Sequence, residues 1–201
     1  MARRKVEVRR EEILRATCAE VAKRGFADTR AADVATALGV STSLIFYHFD
    51  SKDGLLSAAL DYAAERDLTR LDAAASGPGT AAHRLGTILR LYAPAGASPG
   101  WTLWIDAWAA ALRSPALATV SRRLDVRWKE TIAAVIAEGV ATGELTCADP
   151  SGAAWRITAL LDGLAIQTTV HKGVLSRRQM HTWVQAAAAA ELGLRPDQLT
   201  A

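Results

Sequence analysis

The stretch Thr29–Asp53, TRAADVATALGVSTSLIFYHFDSKD, leaves the chain few ways to fold. Val34 and Leu38 stand four apart on one helical face, and Gly39 follows where a left-handed C-cap costs little. Val40 returns to a core position, and Ser41 is a good N-cap for the next short helix. Within that helix Ile45 and Phe49 are four apart and face inward, which leaves Thr42, Ser43, Tyr47 and His48 on the outside. A short helix with an exposed Tyr-His pair, propped by another helix across a glycine turn, has the form of a helix-turn-helix reading a DNA major groove.

The same punctuation divides the rest of the chain. Ile13, Leu14, Thr17 and Val21 make the inward stripe of a first helix over about residues 7–24, which Gly25 ends before the core anchor Phe26. Thr29 is placed to cap a second helix, Arg30–Leu38, and Ser41–His48 is the third. Ser51 caps a long fourth helix, with Leu55, Leu56, Leu60 and Ala63 at helical spacing to about Ala74. Ser76-Gly77-Pro78-Gly79 breaks it. Further helical patterns cover about Thr80–Tyr92, Trp101–Leu112, Pro115–Thr142, Pro150–Lys172 and Ser176–Leu192, with an irregular loop at Ala93–Gly100. The expectation is an all-α fold of about nine helices. A DNA-binding domain at 1–50 precedes a larger domain at 51–201.

Composition narrows the function. Half of the 201 residues are hydrophobic, ample for a core, and the net charge is only +3. Arg3, Arg4, Lys5, Arg9 and Arg10 stand against Glu7 in the first ten residues, so a basic arm precedes a nearly neutral body. Such an arm suits a polyanion touched at one end, or a solvated terminus. Cys18 and Cys147 have no disulfide-framework or metal-ligand spacing, and free thiols in a reducing compartment are expected. The long uncharged stretch Leu91–Ile105 is too short to span a bilayer and is broken by Pro94, Gly96, Pro99 and Gly100, so no membrane span is expected. No apolar signal core follows the basic start, and a cytoplasmic location is expected. His48, His83, His171 and His181 sit in no HExxH motif, and there is no GxSxG elbow or Gly-rich phosphate loop. Neither an enzyme nor a resident metal or cofactor is expected.

GVSTSLIFYHFDSKDGLL resembles the helix-turn-helix of TetR-type transcriptional repressors, and the spacing from Ile13-Leu14 through Arg24-Gly25-Phe26 to Asp33-Val34-Ala35 fits as well. WTLWIDAWAAALRSPAL, RRLDVRWKETIAAVIAEGVATGEL and ALLDGLAIQTTVHKGVL are similar to the C-terminal domain of the choline-responsive (BetI-like) branch. The resemblance covers roughly residues 9–192. It implies a homodimer whose last two helices pair with the partner's, and a pocket in the larger domain for a small effector. Effector binding would swing the fourth helix and move two reading heads out of register with a pseudo-palindromic operator. An activator, or an architectural DNA-binding protein without effector, is the alternative. Leu44 and Phe46 stand where the family often has a small polar residue and a tyrosine.

These readings assign residues. Arg30, Tyr47, His48 and Lys52 are the expected phosphate contacts, with Lys52 in the first turn of the fourth helix. Thr42, Ser43 and Leu44 face the bases, Leu44 offering apolar contact to a thymine methyl. Phe46 divides evenly between core and surface. Trp101, Trp104 and Trp108 are spaced i, i+3, i+7, and with Trp128 they form the candidate effector pocket. Indoles attract a quaternary ammonium by cation–π interaction, but the same spacing serves a core or interface stripe. Asp162 lies in the apolar run ALLDGLAIQ and needs Arg156, a cationic ligand or a place at the dimer seam. The seam is the reading preferred here, with Ile157, Leu161, Asp162, Gly163, Trp183 and Val184 as its candidates.

Overall fold

The structure, a computed structural model, describes the backbone of residues 2–94 and 99–199 and the side chains of 9–94 and 100–199. The side chains of Arg3, Arg4 and Lys5 in the expected basic arm, and residues 95–98 of the expected loop, lie outside this set. The helices are α1 (Ala2–Asp28), α2 (Ala31–Leu38), α3 (Thr42–His48), α4 (Lys52–Ala75), α5 (Ala81–Tyr92), α6 (Pro99–Ala111), α7 (Pro115–Ala141), α8 (Pro150–Val170) and α9 (Arg177–Glu191), with a 3-10 turn at Pro196–Leu199. No strand occurs among the described residues.

Most helix ends follow their capping chemistry. Ser41, Ser51, Thr80, Asp149 and Ser176 each accept a backbone N–H with a side-chain oxygen, satisfying a donor the first turn leaves unpaired. Gly25 adopts a non-helical, left-handed-side conformation (φ +82°, ψ 166°) and ends the first helical stretch of α1, with a short helical turn to Asp28 beyond that kink. One cap differs from the sequence reading. Thr29 does not cap α2, because its hydroxyl is buried and donates to the Gly25 carbonyl at 2.7 Å. Arg30 occupies the cap position, and its backbone N–H donates to Asp33 Oδ2 at 3.0 Å.

The chain forms two compact units, each built from two segments. The first joins Met1–Arg66 with Thr102–Leu124, and the second joins Asp67–Trp101 with Asp125–Ala201. In the first unit Ile13, Leu14, Val34, Ile45, Phe49 and Leu55 form the apolar centre that fixes α1, α2, α3 and the start of α4. Asp106 of α6 also belongs here. Its carboxylate accepts the Phe26 N–H at 2.7 Å and lies against Gly25, where a Cβ would sit 3.0 Å from Oδ2. A side chain at residue 25 is therefore strained by its backbone and crowded by Asp106.

In the second unit Leu85, Ile88, Ile132, Ile136 and Leu161 are fully buried. Arg84 pairs with Glu138 through two hydrogen bonds of 2.7 and 3.0 Å and also donates to the Ala75 carbonyl. The Leu199 carbonyl lies against Gly86, where a Cβ would come within 2.2 Å of it. Helices α8 and α9 are tied by Arg156, whose guanidinium donates to both carboxylate oxygens of Glu191 at 2.8 and 2.7 Å.

Candidate nucleic-acid and ligand sites

The glycine turn holds the reading helix as its sequence requires. Gly39 adopts φ +65°, and its N–H and that of Val40 close onto the Thr36 and Ala35 carbonyls. Helix α3 then buries Ile45 completely and Phe49 at its C-cap. The opposite side carries Ser43, Phe46 and Tyr47, all exposed, with Tyr47 at 75%. Thr42, Leu44 and His48 are partly exposed beside them. The Tyr47 and His48 rings meet edge-on with centroids 5.2 Å apart, which limits the orientations either can adopt. Phe46 is on the surface, so the core alternative for it does not hold. Arg30 is exposed at the start of α2. Lys52 is partly buried and donates to the Ala27 carbonyl at 3.0 Å, tying the start of α4 to the end of α1. An ammonium carries three donors, so two remain for a phosphate. Arg10, in sequence one of the basic arm's charges, stacks its guanidinium over the Phe49 ring, 4.9 Å from the centroid.

The second unit gathers a different set of groups. Tyr92, the last residue of α5, stands between two indoles. Trp101 lies 5.9 Å away by ring centroids, and Trp128 meets Tyr92 edge-on at 4.9 Å. Trp101 Nε1 donates to the Tyr92 carbonyl at 2.8 Å, which fixes that ring further. The Tyr92 hydroxyl donates to Asp162 Oδ1 at 2.7 Å. Burial, then the adjacent carboxylate, hold the phenol far above its ordinary range, so it remains the donor. Burial raises the Asp162 carboxyl as well, while the Tyr92 hydrogen bond and the charge of Lys129 oppose that rise. Lys129 is buried, pairs with Asp125 on the same helix, and places its ammonium 4.6 Å from the centroid of Trp155. The arrangement sets a carboxylate on a phenol that two indoles flank. Among the described residues no His, Cys, Asp and Glu group is arranged to bind a metal.

Of the four tryptophans expected together, only Trp101 and Trp128 share this cluster through Tyr92. Trp104 and Trp108 belong to the first unit, where their rings pair at 6.3 Å. The i, i+3, i+7 spacing is real, but helix α6 contributes to both units, so its indoles divide between them.

Residues 81–193 match the family model described as BetI-type transcriptional repressor, C-terminal, and residues 13–59 match that for bacterial regulatory proteins of the tetR family. The chain belongs to this family. It is 30% identical over 162 residues to the HTH-type transcriptional regulator BetI of Burkholderia mallei strain NCTC 10229, covering 79% of this chain and 80% of that one. It is 29% identical over 135 residues to BetI of Stenotrophomonas maltophilia strain R551-3, covering 60% of this chain and just under two thirds (63%) of the relative's length. A regulator from Saccharomonospora viridis, whose crystal structure is in complex with choline, superposes with a TM-score of 0.82 at 29% identity, covering 92% of this chain and 98% of that one. Proteins of the TetR and BetI type are transcriptional regulators, not enzymes.

The expected seam of this TetR-family chain needs revision. Ile157, Leu161 and Val184 are buried within the chain itself and offer a partner little surface. They lie on the sides of α8 and α9 that turn into the second unit's own core. Asp162 is occupied by Tyr92, and Arg156, its other expected partner, is held by Glu191. Gly163 and Trp183 are exposed, and Leu160 and Trp155 are exposed with them. Tyr92, Asp125 and Lys129 were not singled out by the sequence. The available signals were a tyrosine directly before the Pro-Gly loop and a lysine adjoining Trp128. Both thiols are free, and burial pushes that of Cys18 up to about 11, where it donates weakly to the Ala59 carbonyl. No described helix is long and apolar enough to cross a membrane.

Proposed function

We propose that this chain is a cytoplasmic, homodimeric repressor that binds a pseudo-palindromic operator and is released by a small quaternary ammonium compound of the choline type. The single observation that carries the ligand class is the Tyr92–Asp162 hydrogen bond flanked by the Trp101 and Trp128 rings. A carboxylate beside aromatic rings attracts an alkylated cation by Coulomb and cation–π forces, the latter about 0.5–2 kcal/mol per ring. The choline complex of the Saccharomonospora neighbour supports the same class.

Residues 1–50 act as the DNA-binding domain and 51–201 as the effector and dimerisation domain. Arg30, Tyr47, His48 and Lys52 position the reading head on phosphates, and Thr42, Ser43 and Leu44 face base edges. The exposed apolar residues Leu160 and Trp183, with Gly163 allowing close approach, are the surface offered to the second copy. An unsatisfied apolar face of this kind is costly in a monomer.

Selection of bound fragments from randomised DNA, followed by titration of the complex with choline, tests the reading. An inverted repeat that dissociates on adding choline is the expected result. A complex unaffected by choline and by tetramethylammonium would refute the effector class, and a selected site without two-fold symmetry would refute the dimeric mode.

A further inference from the structure

A buried cation stands beside the aromatic cluster: Lys129 follows Trp128 on α7, and the Trp155 ring that it overlies stands two turns before Asp162 on α8. Lys129 is buried, its ammonium is paired with the Asp125 carboxylate, and it lies over the Trp155 ring at 4.6 Å. Both groups act on the Asp162 carboxylate. Lys129 favours its ionised form and Asp125 disfavours it, so the three charges belong to one electrostatic unit. With Asp162 ionised, two carboxylates and one ammonium leave a single unbalanced negative charge in a partly desolvated place. Uncompensated charge in such surroundings is costly in either sign.

We infer that Lys129 sets the valence of the ligand: by neutralising one of the two carboxylates, it tunes the site to a monocation and against a dication. This rests on the cation-site reading above and goes beyond it, because a site of aromatic rings and acids alone would welcome more than one positive charge. Lys129 is a specificity residue that acts through charge. Asp125 is the counterweight that keeps its ammonium in place.

The test is tryptophan fluorescence titration of the full chain with tetramethylammonium and with hexamethonium, a bis-quaternary dication, in wild type and three variants. Lys129→Met leaves two unbalanced carboxylates. It should tighten tetramethylammonium on the order of tenfold, as one charge removed at roughly 10 Å would at an effective dielectric near 20. Hexamethonium should tighten further, so that the ratio of the two affinities moves toward the dication. Asp125→Asn does the opposite, leaving no net negative charge, and should weaken tetramethylammonium by a similar factor. The combined Asp125→Asn, Lys129→Met variant restores one unbalanced carboxylate and should return the affinity ratio to that of wild type.

Circular dichroism confirms that each variant is folded, and Lys129→Gln replaces Lys129→Met if the latter is not. An affinity ratio unchanged by loss of the Lys129 charge overturns the inference, as does a combined variant that keeps the ratio of Lys129→Met. If neither cation alters wild-type fluorescence, the cation-site reading fails and this inference with it. Binding with an unmoved ratio removes only the inference.

Discussion

The reading head and the aromatic cluster solve opposite problems with similar residues. The head turns its polar and aromatic groups outward from a small apolar centre, with Tyr47 exposed and Ile45 beneath it fully buried. The cluster turns its charges inward, pairing Asp162 with Tyr92 and Lys129 with Asp125 among indoles. A surface that meets DNA keeps its groups hydrated until contact, and its specificity comes from shape and hydrogen-bond pattern. A buried site pays desolvation in advance, so each charge there must have a partner before a ligand arrives. Mutations should therefore act through packing and phosphate contact in one region and through charge balance in the other.

The strongest break in that comparison comes from the head's support. Ile45→Ala should cost about 2–5 kcal/mol of stability, since a fully buried isoleucine leaves a cavity. Chemical unfolding of the variant measures it, and a loss under 1 kcal/mol would mean that α3 is not anchored there. Next in size, Asp162→Ala should weaken choline by roughly tenfold or more while leaving operator affinity without ligand nearly unchanged. Calorimetry and a gel-shift assay separate the two. Tyr92→Phe removes one hydrogen bond and leaves the carboxylate less well held, a loss of about 1–3 kcal/mol in folding stability. Its thermal unfolding set beside that of wild type checks this.

Lys52→Ala should lower affinity for all operators alike and flatten the plot of log K against log salt by about one unit per head. A change in base preference instead would move Lys52 from the phosphates to the bases. The smallest effect concerns pH. Because burial raises the Asp162 carboxyl above its ordinary value, the folded chain holds that proton more tightly than the unfolded one. Its contribution to stability is complete below the unfolded value and is lost as pH rises through the raised one. A bound cation favours the carboxylate, so choline should bind more tightly as pH rises through that range. Titration at several pH values shows whether Asp162→Asn abolishes this slope.

The head was legible because its determinants are local. Gly39, Ser41, Ile45 and Phe49 lie within eleven residues, and helical spacing alone sorts inside from outside. Helix ends were legible wherever a Ser, Thr or Asp stood at the cap. Thr29 misled because a hydroxyl that suits a cap also suits a bond back to the carbonyl four residues earlier, and the kink at Gly25 made that bond available. The cluster was legible only in part. Its residues 92, 101, 128, 129 and 162 come from four helices, and no periodicity within one helix reveals which indole meets which tyrosine. The same gap affects the expected seam residues. Ile157, Leu161 and Val184 look equally suited to a partner and to the chain's own core until the packing of α8 is known.

The contact between Asp106 and the Phe26 amide has a consequence in time as well as in space. That amide proton is held by a side chain 80 residues away and not by the helix ladder, so it exchanges with deuterium only when the contact opens. A single backbone position thereby becomes a clock for the joint at the end of α1. Its exchange rate, followed by NMR with and without operator or choline, would time the opening of that joint, one proton reporting on a carboxylate that the local sequence gives no hint of.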